Sequence, residues 1–236
     1  MKRELIYGIR PVLEALRSRR REVFEVLEAA GEGEVAEAAA ASGVFVKKVR
    51  RAQIEELAPG AAHQGVVARV GPYPYSDLGE ILAASDPLVL VLDSVTDPRN
   101  LGAVLRAADG AGASGVVVPK DRAAGVTAAA VKASAGASEH VRVARETNLR
   151  RAIDRMKKDG LWVYAAEGGE VTLYHEVALT GPVALVLGSE GRGVRRLVRE
   201  GCDGEISIPM LGAVGSLNVS VAAAVLLYEA RRQRGR

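Results

Sequence analysis

The stretch LVLVLDSVTDPRNLGAVLR, Leu88 to Arg106, decides how this chain folds. Leu88 to Leu92 is apolar without alternation and ends in Asp93. A strand covered on both faces reads this way, because each side chain meets an apolar layer whichever way it points. Asp97-Pro98 then sets a turn, and Leu101 to Gly110 has helical spacing. A buried strand feeding a helix is the building unit of a parallel sheet, whose crossovers need a helix.

Toward the C-terminus the alternation recurs. Val116 to Val118, His140 to Val143, Leu161 to Ala165, Val183 to Leu187 and Ile206 to Pro209 read as strands. Thr127 to Ser134, Leu149 to Lys158, Val194 to Glu200 and Ser216 to Arg232 read as helices. Thr147 is the expected N-cap of the second of these and Ser216 of the last; Gly160 ends the second. The expected fold class is α/β, with a parallel sheet covered on both faces. Toward the N-terminus, helices at Pro11 to Arg17, Glu34 to Ala41 and Ala52 to Leu57 alternate with strands at Val23 to Leu27, Val44 to Val49 and Gly65 to Val70. This is a small second α/β unit. Gly71, Pro72, Pro74, Ser76 and Gly79 mark a linker. The expected division is residues 1–70, a linker at 71–86, and residues 87–236.

Composition bounds the function. The 236 residues are 48% hydrophobic, enough for a buried core, but only 4% aromatic, so close backbone packing must replace rings. The formal charge is +3, with basic clusters at Arg17 to Arg21, Lys47 to Arg51, Arg195 to Arg199 and Arg231 to Arg236. Such runs suit phosphates, although each alone reads equally as a solvated helix face. The lone Cys202 excludes a disulfide or a cysteine-based zinc site within one chain. No apolar run is long enough to span a bilayer, and Met1-Lys2-Arg3-Glu4 opens no signal peptide. A cytoplasmic protein without metal or membrane partner is expected.

Gly110-Ala111-Gly112-Ala113-Ser114-Gly115 matches the dinucleotide pattern but follows a helix and precedes a strand. A pyrophosphate site needs the reverse order, so the segment is a helix end and turn, and a nicotinamide enzyme is disfavoured. Three other segments leave the C-terminal ends of strands, where open α/β sheets place ligands. Asp93 to Arg106 carries Asn100, Gly102 and Arg106. Gly188-Ser189-Glu190-Gly191-Arg192-Gly193 follows a buried strand and offers backbone groups to a ligand without phosphate, such as adenosine. Ile208-Pro209-Met210 leads through a glycine-containing loop to Ser216-Leu217-Asn218-Val219-Ser220, where Asn218 opens an apolar helix. No histidine lies in these segments; His63, His140 and His175 are elsewhere.

Asn100-x-Gly102-x-x-x-Arg106, Gly188-Ser189-Glu190-Gly191-x-Gly193 and Ile208-Pro209-Met210…Ser216-Leu217-Asn218-Val219-Ser220 resemble the three motifs of the SpoU/TrmH ribose 2′-O-methyltransferases of the SPOUT superfamily. The front end is similar to the 23S rRNA guanosine 2′-O-methyltransferase (RlmB-type) branch, through Tyr7 to Arg10, His63 to Val70 and Val118 to Arg122. The resemblance implies a C-terminal SPOUT domain with a deep trefoil knot, a homodimer with its site near the interface, and an N-terminal ribosomal-protein-like RNA-binding domain. It implies S-adenosylmethionine as cofactor and structured RNA, most closely 23S rRNA, as substrate. It assigns catalysis to Arg106, Asn100, Glu190, Ser216 and Asn218. It places the cofactor at Gly188, Ile208, Met210 and Leu217, flanked by Ala166 and Glu167, and RNA contacts at Arg10, Gln64 and Arg99. A tRNA ribose methyltransferase and a non-catalytic RNA-binding or ribosome-assembly protein are the alternatives.

Overall fold

The computed structural model describes residues 3–29, 33–169, 171–189 and 191–235. The first unit runs β1 (Glu4–Tyr7), α1 (Ile9–Ser18), β2 (Val23–Glu28), α2 (Glu34–Ala41), β3 (Val46–Lys48), α3 (Arg51–Leu57) and β4 (Val66–Val70). Its mixed sheet has the order β1-β4-β2-β3. The sequence reading has no counterpart to β1, a short strand paired antiparallel to β4 at one edge.

After α4 (Leu78–Leu82) the second unit follows: β5 (Leu88–Leu92), α5 (Pro98–Gly110), β6 (Gly115–Pro119), α6 (Ala128–Ala133), a 3₁₀ turn (Ala137–Glu139), β7 (Val143–Glu146), α7 (Leu149–Lys158) and β8 (Trp162–Ala166). It continues through β9 (Thr172–Leu173), β10 (Val183–Leu187), α8 (Arg196–Arg199), β11 (Gly204–Ser207) and α9 (Val219–Gln233). Among the described residues these strands form a seven-stranded sheet, β7-β6-β5-β10-β8-β11-β9, with every pairing parallel. The unalternating strands are buried on both faces, as their composition requires. Leu88, Leu90 and Leu92 pack with Leu101 and Leu105 of α5 and Leu226 and Leu227 of α9. Val89 and Val91 pack on the other side with Leu149, Ile153 and Met156 of α7. Gly102 brings α5 against α6: a methyl there would stand 2.6 Å from the Ala133 Cβ.

Boundaries differ from the sequence reading where a cap or a pairing overrides periodicity. Helix α5 begins at Pro98, because the Asp97 side chain accepts from Arg99 N at 2.8 Å and proline suits the first turn. Asn148, not Thr147, caps α7, accepting from Arg151 N at 3.2 Å. Asn218, not Ser216, caps α9. Strand β7 lies later than His140 to Val143, since its ladder to β6 starts at Val143, and His140 is the cap of the 3₁₀ turn Ala137–Glu139. Strand β11 stops before Pro209. The glycine-rich Gly110 to Gly115 does join the end of α5 to the start of β6.

The expected linker is packed. Tyr73 is buried and donates to Ser138 O at 2.8 Å, while Ser76 N donates to Val143 O. The two units meet around the 3₁₀ turn. Arg21 donates Nε to Glu139 Oε2 at 3.1 Å and a second bond to Oε1, and both side chains are buried. Arg20 reaches Val141 O at 2.9 Å, and His140 Nε2 lies 2.8 Å from Glu14 Oε2.

Candidate active site

In the sheet, β10 sits between β5 and β8, with β6 and β7 added on one side and β8, β11 and β9 on the other, so the strand order reverses there and the loops leaving these parallel strands converge. A cavity of about 600 Å³ opens at this point, which suits one small-molecule ligand. Ala166, Glu167, Gly188, Ile208, Met210, Ser216 and Leu217 line it together, although they come from four separate stretches of sequence. Its remaining walls are mostly apolar side chains and glycine backbone, with Ser189 and Ser207 as further polar groups.

Several contacts hold this architecture. Gly188 and Gly193 touch so closely that a methyl on Gly188 would overlap the Gly193 carbonyl carbon. Val194 N donates to Glu167 Oε1 at 2.8 Å. Asp93, fully buried at the end of β5, accepts from Arg195 N at 2.8 Å and from Arg195 Nε at 2.7 Å. Carboxylates from two strands therefore fix the far end of the 188–194 loop. The sequence signal for Asp93 is its place at the end of a wholly apolar run, where a charge must find partners.

Asn218 donates Nδ2 to Asn100 Oδ1 at 3.1 Å, and its Oδ1 accepts from Ser220 N at 2.9 Å and Ser220 Oγ at 2.6 Å. The amide is thus a helix cap and a bridge between the starts of α9 and α5. Neither Asn100 nor Asn218 is among the cavity-lining residues. Arg106 is exposed on α5 and also lies off the cavity wall of its own chain. Glu190 lies outside the described residues.

The residues expected at RNA are spread along the exposed surface. Arg99 is solvent-facing in the first turn of α5. Arg10 is exposed, 3.6 Å from Glu34. Gln64 has left-handed backbone, φ +55°, and accepts from Lys132 Nζ of the second unit at 2.7 Å. Burial lowers the Lys132 ammonium pKa below its usual value. Among the described residues no group of His, Cys, Asp and Glu could hold a metal, and no helix is long and apolar enough to cross a membrane.

Residues 87–228 match the SpoU rRNA methylase family, and residues 5–76 match the RNA 2′-O ribose methyltransferase substrate-binding family. The chain is 44% identical to the 23S rRNA (guanosine-2′-O-)-methyltransferase RlmB of Escherichia coli (strain K12), over 98% of this chain and 99% of that one. It is 50% identical to the RlmB of Photobacterium profundum, over 81% and 80%. The SpoU methyltransferase AviRb from Streptomyces viridochromogenes, solved in complex with AdoMet, superposes with a TM-score of 0.85 at 28% identity, over 98% of this chain and 89% of that one. With its parallel catalytic sheet and the smaller mixed-sheet unit ahead of it, the chain belongs to the SpoU rRNA methylase family.

Proposed function

We propose that this protein transfers a methyl group from S-adenosylmethionine to the ribose 2′-hydroxyl of a guanosine in 23S rRNA. The observation that carries the reading is the cavity at the β5–β10–β8 switch, which gathers the cofactor-candidate residues of four separate segments in a chain 44% identical, nearly end to end, to a 23S rRNA guanosine methyltransferase. The cavity fits an adenosine-bearing ligand. Its glycine walls offer backbone groups to base edges.

Gly188, Ile208, Met210, Leu217, Ala166 and Glu167 hold the cofactor, which supplies a methyl on an electrophilic sulfonium. The protein must align the ribose oxygen and assist loss of its proton. Arg106 orients the reacting ribose and its phosphate; an ordinary guanidinium stays protonated, so Arg106 acts by positioning, with a neighbouring RNA phosphate oxygen as one candidate to take the proton. Asn100 and Ser216 position the ribose, while Asn218 and Glu190 brace the loops. Arg10, Gln64 and Arg99 contact the RNA.

The division into an RNA-binding unit (1–70), a linker (71–86) and a catalytic unit (87–236) belongs to this proposal, as do cytoplasmic location and a deep trefoil knot within the C-terminal unit. So does a homodimer. Exposed apolar side chains on α9 and the loop before it, Val221, Tyr228, Leu211 and Val214, support it. A site at a subunit interface also accounts for Arg106 lying off its own chain's cavity.

The test is mapping of 2′-O-methyl groups after incubating purified protein and S-adenosylmethionine with 23S rRNA and with tRNA. Methylation of one 23S guanosine is expected. Methylation confined to tRNA overturns the substrate, and cofactor binding without transfer to any RNA overturns the catalytic reading.

A further inference from the structure

Glu167 is the only charged side chain among the described residues that line the cavity. It follows β8 directly, and its Oε1 accepts the Val194 N–H at 2.8 Å, so the carboxylate is fixed at the wall. The other oxygen, Oε2, lies beside Gly193, another lining residue, 2.7 Å from where a Cβ there would stand. The rest of the described lining is apolar, glycine or neutral polar. The cavity therefore carries a negative charge, held in place by one hydrogen bond.

We infer that Glu167 makes this cavity prefer the sulfonium cofactor over the uncharged thioether left once the methyl has gone, an inference that rests on the cofactor reading above. S-adenosylmethionine and S-adenosylhomocysteine share every group except the methyl and the positive charge on sulfur. Apolar contacts and backbone hydrogen bonds treat the two almost alike. A carboxylate does not: it attracts the ligand with the extra positive charge. At an effective dielectric of about 20, a unit charge as far as about 12 Å away still shifts binding by about tenfold, so the selection needs no direct contact with the sulfur. The functional consequence is product release. Transfer of the methyl neutralises the ligand, which weakens its hold on the cavity and opens it to fresh cofactor.

Glu167→Gln separates charge from anchoring, because the amide oxygen still accepts from Val194 N. Isothermal calorimetry on the full-length protein would use three probes: S-adenosylmethionine, S-adenosylhomocysteine and sinefungin, in which an amine-bearing carbon replaces the sulfonium. In the variant, the two cationic ligands should bind about tenfold more weakly while S-adenosylhomocysteine is unchanged. Equal weakening of all three, as loss of the loop anchor or of a ribose contact would give, overturns the inference. So does an unchanged preference. Wild-type protein that binds none of the three overturns the cofactor reading itself, a failure distinct from an unaltered preference in a protein that binds them all.

Discussion

Asn218 Nδ2 donates to Asn100 Oδ1 at 3.1 Å across 118 positions of chain. The bond ties the first turn of α5 to the cap of α9, and it joins the first motif to the third. Asn100→Ala removes this bond and leaves the α9 cap. Stability should fall by no more than about 1 kcal/mol, a shift of a few degrees in Tm, while kcat falls about tenfold or more. Asn218→Ala also loses the cap, adding about 1 kcal/mol. Thermal denaturation and single-turnover methylation check the split; equal effects on stability and turnover at Asn100 would remove its positioning role.

Arg106 stands off the wall of its own cavity. Arg106→Ala is expected to cut methyl transfer by about a hundredfold or more while cofactor affinity stays within about twofold. Calorimetry beside a transfer assay reads both. Near-normal turnover would take Arg106 out of the mechanism.

Gly188 has no room for a methyl, since the Gly193 backbone occupies that space. Gly188→Ala must push the two ends of the loop apart. Loss of S-adenosylmethionine binding is expected, with a Tm lowered by several degrees and an unchanged far-UV circular dichroism spectrum. Full-affinity binding in the variant would show that the loop does not need this crossing.

The buried Arg21–Glu139 pair spans the two units. Arg21→Met leaves a buried carboxylate without its cation and should cost about 3–5 kcal/mol. Adding Glu139→Leu should recover most of that loss, because the uncompensated charge goes too. Urea titration of the single and double variants measures the coupling, and a double variant as unstable as the single one contradicts it.

Glu229 on α9 accepts from Arg232 and from Gln233, and Gln233 in turn holds Leu179 N and Val177 O. The Arg232 hydrogen bond, ahead of the opposing effect of burial, brings the Glu229 pKa down from 4.5 to about 2. A carboxyl with a depressed folded pKa stabilises the fold above its unfolded value. That contribution is complete above about pH 4.5 and is lost as pH falls toward 2. Glu229→Gln should flatten the stability curve in that window and lower stability at pH 7, where the contribution is complete, while leaving the fold intact. A variant as acid-sensitive as the wild type would place the acid response elsewhere.

The burial of a strand was legible at once. Leu88 to Leu92 and Val183 to Leu187 span the same residues in the structure as in the reading, because an unalternating apolar run has nowhere to go but the middle of a covered sheet. Helix starts were less legible. Asn148 and Thr147 are both acceptable caps, as are Ser216 and Asn218, and the structure uses Asn148 and Asn218, the latter with its long-range bond to Asn100. Edge strands such as β1 and β9 leave almost no periodic trace, since two to four residues carry too little pattern.

The sequence by itself determined the α/β class, the loops that leave strand ends, and the glycine and asparagine segments that bear chemistry. Only the tertiary structure decided that β10 inserts between β5 and β8, that Asn100 meets Asn218, that Asp93 anchors Arg195, and that Arg106 stays off its own cavity. The reason is the range of the forces. Apolar periodicity and caps act over a few residues and are written locally. Strand order and the bonds that span most of the catalytic unit depend on which buried surfaces close together, which no short window of sequence contains.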